Sequence, residues 1–133
     1  MLYCRPMGAF RYPALVAHPR GTGAPVEVKF LVDTGAMFTC LPGPTLEALG
    51  LDPTWRVPVV LADGRREEWG ATEVLMTLDD RTLHTTCLFG PTEALPLLGA
   101  VSLEQFALSV NPLTRTLVPA PVPMARAILD TDR

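Results

Sequence analysis

The sequence predicts an all-β domain with one or two short helices. Fourteen prolines and ten glycines divide its 133 residues into short segments, which favours brief strands over long helices. The clearest strand spans 25–32, where apolar and polar residues alternate with a period of two. Apolar residues make up 48% of the chain and charged residues 19%, which is enough for a packed interior. The length leaves room for a single domain.

The first third of the chain predicts a β-hairpin. Residues 10–16 form its first arm, which Pro13 interrupts, and residues 25–32 form its second arm. Gly21-Thr22-Gly23 has the composition of the turn between them. Because proline has no backbone N–H to donate to a neighbouring strand, we expect the first arm to lie at the edge of the sheet.

A short helix and a second hairpin follow. The helix is predicted from Gly43-Pro44 to Gly50, because Pro44 suits the first turn of a helix and Gly50 suits its C-terminal cap. Residues 57–61 and 66–78 predict two strands. They are joined around Asp63-Gly64, and Asp-Gly is a strong signal for a hairpin turn.

A further strand and a second helix come next. The strand is predicted over 81–89, and the second helix ends at Phe106. Ser102 and Gln105 have the spacing of a capping box, which places the start of this helix near Ser102 or one turn earlier.

The last residues predict closing strands and a tail. Apolar residues around 108–110 and at 117–118 indicate two short strands. Periodicity is then lost in a proline-rich stretch that includes a short helix over 124–129. We therefore predict a folded domain over 1–118 and a C-terminal tail over 119–133.

The charge and the metal-binding residue types exclude several functions. The net charge is −3 and the isoelectric point is about 5.3, which leaves no basic surface for a nucleic-acid partner. The cysteines and histidines show neither the spacing of a zinc site nor that of a disulfide framework. They are Cys4, Cys40, Cys87, His18 and His84. We predict no metal site.

The N-terminus and the hydropathy predict a cytoplasmic protein without a membrane partner. Arg5 and Pro6 stand where a signal peptide would need its apolar stretch. The longest apolar runs are also far shorter than the roughly 20 residues of a membrane span.

The strand over 25–32 ends in Asp33-Thr34-Gly35-Ala36. Burying an ionised carboxylate costs free energy unless it is paired or protonated, so an aspartate in this position indicates chemistry. Gly35 allows a close backbone approach and can donate its N–H to the carboxylate, while the Thr34 hydroxyl can reach a neighbouring chain. The alternative is an ordinary turn, because Asp, Thr and Gly are all common in turns.

Three segments, which follow one another along the chain in the order of that family, resemble the retropepsin-like aspartic proteases of the bacterial, single-domain type. Asp33-Thr34-Gly35-Ala36 after an apolar strand resembles the active-site motif of that family. Leu97-Leu98-Gly99-Ala100 resembles the apolar-apolar-Gly segment near the end of its fold. The hairpin over 57–78 stands where the family has its flap, which closes over the substrate. The resemblance covers 25–119 and implies the half-barrel fold of the family in a dimer.

The resemblance implies hydrolysis of peptide bonds by two aspartates that share one proton. One, ionised, activates a water as general base, and the other, protonated, donates a hydrogen bond to the scissile carbonyl. The chain holds a single Asp-Thr-Gly. Asp79-Asp80 cannot supply the second carboxylate, because neighbouring residues on a strand point to opposite faces. The second must be Asp33 of another copy, so the mechanism requires a homodimer.

Asp33 is the predicted catalytic residue, and the predicted partner is a peptide or protein substrate, with no cofactor. The substrate-binding positions that the resemblance implies lie in the active-site motif and at the flap apex: Thr34, Gly35, Ala36, Met37, Ala62, Asp63 and Gly64. Met37 departs from the polar residue that many relatives have there. The charged residues Arg65, Arg66, Glu67 and Glu68 predict a solvated face of the hairpin.

Two alternatives from other functional classes remain open at this point. The first is a non-catalytic dimeric module that binds peptides in the same cleft. The second is an assembly scaffold whose proline-rich tail contacts a partner.

Overall fold

The computed structural model describes residues 10–124, which contain nine strands and two short helices. Their bounds are β1 Arg11–Ala17, β2 Val26–Val32, β3 Thr39–Pro42, α1 Gly43–Ala48, β4 Trp55–Val60, β5 Arg66–Leu78, β6 Arg81–Gly90, β7 Leu97–Leu98, α2 Ala100–Gln105, β8 Leu108–Asn111 and β9 Thr116–Pro119. The predicted all-β class with short helices is confirmed. Most of the helix predicted over 124–129 lies outside the described residues.

The main sheet of the described chain has seven strands in the order β1-β2-β7-β3-β6-β5-β4. An additional pairing between β1 and β5 closes the sheet into a ring. β4, the first arm of the β4–β5 hairpin, lies outside this ring. The ring encloses the main apolar core, whose largest fully buried side chains include Phe30, Leu41, Leu46, Met76 and Leu98. Closure removes exposed strand edges, which would otherwise invite pairing with other chains.

β1 is an edge strand over its first half alone. It pairs with β2 along its length, and Pro13 lies opposite Lys29 without interrupting the strand. Over Leu15–Ala17 its other side pairs with Leu75–Thr77 of β5. Pro13 precedes this doubly paired part, which is why a proline is tolerated in a strand that otherwise belongs to a closed sheet.

Both helices lie where the sequence predicts them. α1 begins at Gly43, with Pro44 in its first turn, and Gly50 just beyond its end has a φ of +84°. This left-handed conformation favours glycine and terminates the helix. α2 begins at Ala100. Within residues 10–124, neither helix has the length and apolar character needed to cross a membrane.

Ser102 lies inside α2 and not at its N-terminus. Its buried hydroxyl is 2.6 Å from Thr39 Oγ1 of β3 and 2.7 Å from Thr85 Oγ1 of β6. Thr85 in turn donates to Gln105 Oε1 at 2.6 Å. This hydroxyl cluster of Thr39, Thr85, Ser102 and Gln105 joins α2 to two strands, and it gives buried polar groups the partners that they require.

Ser102→Ala is expected to lower the free energy of unfolding by about 1–3 kcal/mol, because Thr39 and Thr85 each lose a buried hydrogen-bond partner. Urea denaturation measures the change. Thr22→Ala, which removes an exposed hydroxyl from the β1–β2 loop, is the matched control and should stay within about 0.5 kcal/mol of the parent. Equal stabilities of the two variants would contradict a stabilising role for the cluster.

β8 and β9 pair as a separate two-stranded sheet, at the place where closing strands are predicted. β9 ends at Pro119, one residue beyond the predicted domain boundary. The next residue, Ala120, still donates its backbone N–H to Ala107 O at 2.8 Å. The division into a domain over 1–118 and a tail over 119–133 stays a prediction.

Candidate active site

Asp33 lies directly after β2, where that strand leaves the sheet. The backbone N–H of Gly35 donates to Asp33 Oδ1 at 2.9 Å, which is the hydrogen bond that the sequence predicts, and Ala36 N–H donates to Asp33 O at 3.1 Å. One oxygen of the carboxylate is therefore held by its own loop. A Cβ at Gly35 would stand 3.1 Å from Asp33 Oδ1, so a side chain there would crowd the carboxylate.

Residues 96–101, which include β7 and the start of α2, fix the loop that carries Asp33. Parallel pairing joins β2 to β7, and α2 begins against the far end of the loop. The backbone hydrogen bonds are Leu31 N to Pro96 O (2.8 Å), Asp33 N to Leu98 O (3.1 Å), Ala100 N to Ala36 O (2.9 Å) and Val101 N to Met37 O (2.9 Å). The position of Asp33 thus depends on residues more than sixty positions later in the chain.

A cleft of about 530 Å³ lies between this loop and the β4–β5 hairpin. Its walls are mainly apolar and include Met37, Phe38, Val57, Val59, Trp69 and Leu97. Asp33 is the one carboxylate among the lining residues, all of which belong to the described part of the chain. A mainly apolar cleft with one placed polar group has the usual composition of a ligand-binding site.

The predicted site residues fall into three places. Gly35, Ala36, Met37 and Ala62 line the cleft together with Asp33. Thr34 is exposed and lines a second depression, of about 470 Å³, with residues of α2 and β8. Asp63 and Gly64 form the exposed apex of the hairpin, outside the lining of the cleft. The substrate-binding roles of these residues stay predictions.

The hairpin apex is a tight turn that Asp63 stabilises. Gly64 has a φ of +90°, and its N–H donates to Leu61 O at 2.8 Å. Asp63 Oδ1 accepts from Arg65 N at 3.0 Å, and Asp63 Oδ2 accepts from Arg65 Nε at 2.8 Å. These hydrogen bonds hold the pKa of Asp63 below its ordinary value, and the one from the backbone of Arg65 has the largest effect. The carboxylate is therefore ionised and engaged within the turn.

The two cysteines of the described chain are free and buried. Cys40 lies in the floor of the cleft, and burial raises the pKa of its thiol to about 11. Burial also raises the pKa of Cys87. Both are neutral thiols near pH 7 and act as core residues, since the nucleophile would have to be the thiolate.

Other carboxylate and histidine side chains in the described part of the chain contact neighbouring surface groups. Both oxygens of Asp79 lie near the Tyr12 hydroxyl, which donates at 2.8 and 3.0 Å. His84 Nδ1 stands 3.5 Å from Glu73 Oε1 at the exposed surface. Over residues 10–124, there is no group of three or more His, Cys, Asp or Glu side chains that could hold a metal ion.

Glu67 was predicted to lie on a solvated face of the hairpin, and in the structure it is partly buried and contacts a residue of the cleft. It lies opposite Val59 on the hairpin, and its Oε1 accepts from Trp69 Nε1 at 2.9 Å. Trp69 lies opposite Val57 and lines the cleft. In the structure Val57, Val59, Glu67 and Trp69 alternate with exposed residues, and no site role was predicted for them.

Known proteins match both the sequence pattern and the fold. A family model described as aspartyl protease matches residues 20–101. The solution structure of simian foamy virus (mac) protease is similar with a TM-score of 0.52 and 20% identity, over 73% of this chain and 94% of that one. EIAV protease complexed with the inhibitor HBY-793 is similar with a TM-score of 0.56 and 20% identity, over 77% of this chain and 92% of that one. None of the curated proteins matches this sequence.

Proposed function

Because this chain belongs to the aspartyl protease family, whose model covers residues 20–101, we propose that it cuts peptide bonds as a homodimer in which each subunit supplies one Asp33. The observation that carries the proposal is the apolar cleft in which Asp33 is the single carboxylate among the lining residues. The fold is that of retroviral proteases, which supports the same chemistry.

The proposed reaction needs two carboxylates that share one proton. One Asp33 accepts a proton from the attacking water, and the other donates a hydrogen bond to the scissile carbonyl oxygen. One carboxylate oxygen of Asp33 is held by Gly35 N–H, which fixes the direction in which the other points. Both reacting groups come from the protein, so the proposal involves no cofactor.

The homodimer follows from the single carboxylate in the cleft. A twofold axis beside Asp33 would bring the same residue of two subunits together. Thr34, next to Asp33, is exposed and lines the second depression with apolar residues that include Leu103 and Val110. This surface supports the proposal, because a second copy that reaches Asp33 must also cover Thr34.

The β4–β5 hairpin lines the cleft together with the Asp33 loop. Val57, Val59 and Trp69 form its inner side and line the cleft. A peptide bound in extended form below it would bury apolar side chains and exclude water from Asp33. We propose that this hairpin acts as the flap. The cytoplasmic location predicted from the sequence stays part of the proposal, and cell fractionation would check it.

Mixing subunits tests the shared pair of aspartates. When the parent and Asp33→Asn exchange subunits at constant total concentration, activity on a peptide library should fall with the square of the parent fraction. An equal mixture then keeps about one quarter of the parent activity, because one dimer in four has two Asp33 residues. Peptide cleavage followed by mass spectrometry, with analytical ultracentrifugation of the same samples, measures both quantities.

Asp80→Asn is the control for mixing, since Asp80 is an exposed carboxylate that does not line the cleft. Mixtures with this variant should keep full activity. A linear loss of activity with Asp33→Asn, in a protein that sediments as a monomer, would overturn the shared site. A parent that binds peptides and cleaves none of them would favour the non-catalytic module.

A further inference from the structure

We propose that Glu67 is a positioning residue, which fixes the indole of Trp69 as one wall of the substrate cleft. The inference rests on the proposed peptide-binding role of that cleft and deepens it, because it names the residue that sets the shape of one apolar subsite.

Trp69 occupies a place where its orientation decides the shape of the cleft. It lines the cleft on the inner side of the β4–β5 hairpin, opposite Val57. It is partly buried and packs against the smaller apolar cluster that contains Cys40 and Leu88. Tryptophan has the largest side chain of any residue, so a change in its rotamer would alter the subsite more than a change in any other wall residue.

Glu67 holds this indole by the one polar atom that it has. Glu67 Oε1 accepts the hydrogen bond from Trp69 Nε1 at 2.9 Å. Its other oxygen, Oε2, lies 3.5 Å from Arg65 Nη1, and Arg65 is itself held by Asp63 at 2.8 Å. Alternate residues of β5 and the preceding turn therefore form a row, Asp63-Arg65-Glu67-Trp69, from the hairpin apex to the cleft.

The neighbouring Glu68 shows that this arrangement is not a general property of acidic residues on the hairpin. Its side chain is 65% exposed, whereas that of Glu67 is 39% exposed. Adjacent residues of a strand face opposite sides, and Glu68 pairs with Arg56 at 3.6 Å. Glu68 thus offers a matched acidic position on the same strand with no contact to the cleft.

Fixing the indole before the peptide arrives would favour binding. A side chain that is free in the unbound protein loses rotamer freedom when the substrate packs against it, and this loss weakens binding. Since Glu67 does not reach the reacting atoms, its effect should fall on KM and leave kcat unchanged.

The first test follows the indole without any substrate. In a Trp55→Phe background, Trp69 is the single tryptophan, so its fluorescence reports on this side chain alone. Glu67→Ala should increase acrylamide quenching and reduce the near-ultraviolet circular dichroism of Trp69. Glu67→Gln, which keeps an acceptor oxygen, should restore both signals, and Glu68→Ala should leave them unchanged.

The second test measures hydrolysis of a peptide with a large apolar residue at the cleavage site. Glu67→Ala should raise KM about threefold to tenfold with kcat within about twofold of the parent, in line with the entropy of one released side chain. Glu67→Gln should be close to the parent. Quenching that is the same in Glu67→Ala and Glu68→Ala overturns the positioning role, and so does an unchanged KM. A parent that hydrolyses no peptide overturns the proposed function instead, and the quenching experiment still decides whether Glu67 holds Trp69.

Discussion

Asp33→Asn is expected to reduce peptide hydrolysis by at least about 10³-fold, because an amide cannot accept the proton of the attacking water. The fold should remain. Asparagine has the shape of aspartate, and its Oδ1 can still accept the hydrogen bond from Gly35 N–H. In the proposed dimer the substitution also removes the repulsion between two carboxylates at the axis. The thermal midpoint of the variant should therefore equal or slightly exceed that of the parent.

Hydrolysis of a peptide library by parent and variant, with thermal unfolding followed by circular dichroism, measures both effects. Asp80→Asn removes a carboxylate outside the cleft and should keep full activity. Activity of Asp33→Asn within tenfold of the parent would place catalysis elsewhere in the molecule. A variant that is inactive because it no longer folds would show a lowered midpoint, which distinguishes loss of structure from loss of the catalytic group.

The second large effect is expected from Gly99→Ala, at the start of α2. The backbone φ of Gly99 is −95°, which any residue can adopt, so the constraint is one of space alone. A Cβ at this position would stand 2.5 Å from Phe38 C and 2.6 Å from Phe38 O. Neither atom is the end of a flexible side chain, and both belong to the loop that follows Asp33. We expect a loss of at least about 3 kcal/mol in the free energy of unfolding, at the upper end of the usual cost of overpacking.

Chemical denaturation and the yield of folded protein measure the effect of Gly99→Ala. Gly43→Ala is the comparison, because the nearest atom to its added Cβ is Gly90 O at 3.3 Å. That position begins α1, where alanine is also a better helix former than glycine, so a change within about 1 kcal/mol is expected. A Gly99→Ala variant as stable as Gly43→Ala would mean that the Asp33 loop can move away without loss.

Local patterns predicted the parts of the fold that depend on local chemistry. Alternation identified β2, the Asp-Gly pair identified the β4–β5 turn, and Pro44 identified α1. The Asp33 loop was also found in this way, because an aspartate after an apolar strand is visible in the sequence itself.

The errors concern features that are set by tertiary partners. Ser102 has the spacing of a helix cap, yet its hydroxyl is taken by Thr39 and Thr85, which the sheet brings to it from two other strands. No local pattern carries that information.

The face of Glu67 was missed for a different reason. Leu61 N donates to Arg65 O at 2.8 Å across the β4–β5 turn, and this register sets Glu67 opposite Val59. A shift of one residue would reverse the two faces of the strand. Glu67 and Glu68 therefore lie on opposite faces of β5, and the side chain of Glu67 is the less exposed of the two.

The hydrogen bonds between the Asp33 loop and residues 96–101 have a consequence for how the protein is made. During synthesis the chain emerges from its N-terminus, and Asp33 appears long before Leu98 and Ala100. A nascent chain that has not yet reached these residues lacks the partners of Asp33 N and Ala36 O, so its loop is not anchored to the rest of the domain. Contacts between segments so distant in sequence form late in folding. The loop of the proposed catalytic aspartate is thus anchored only after residues 96–101 have been made and have folded against it.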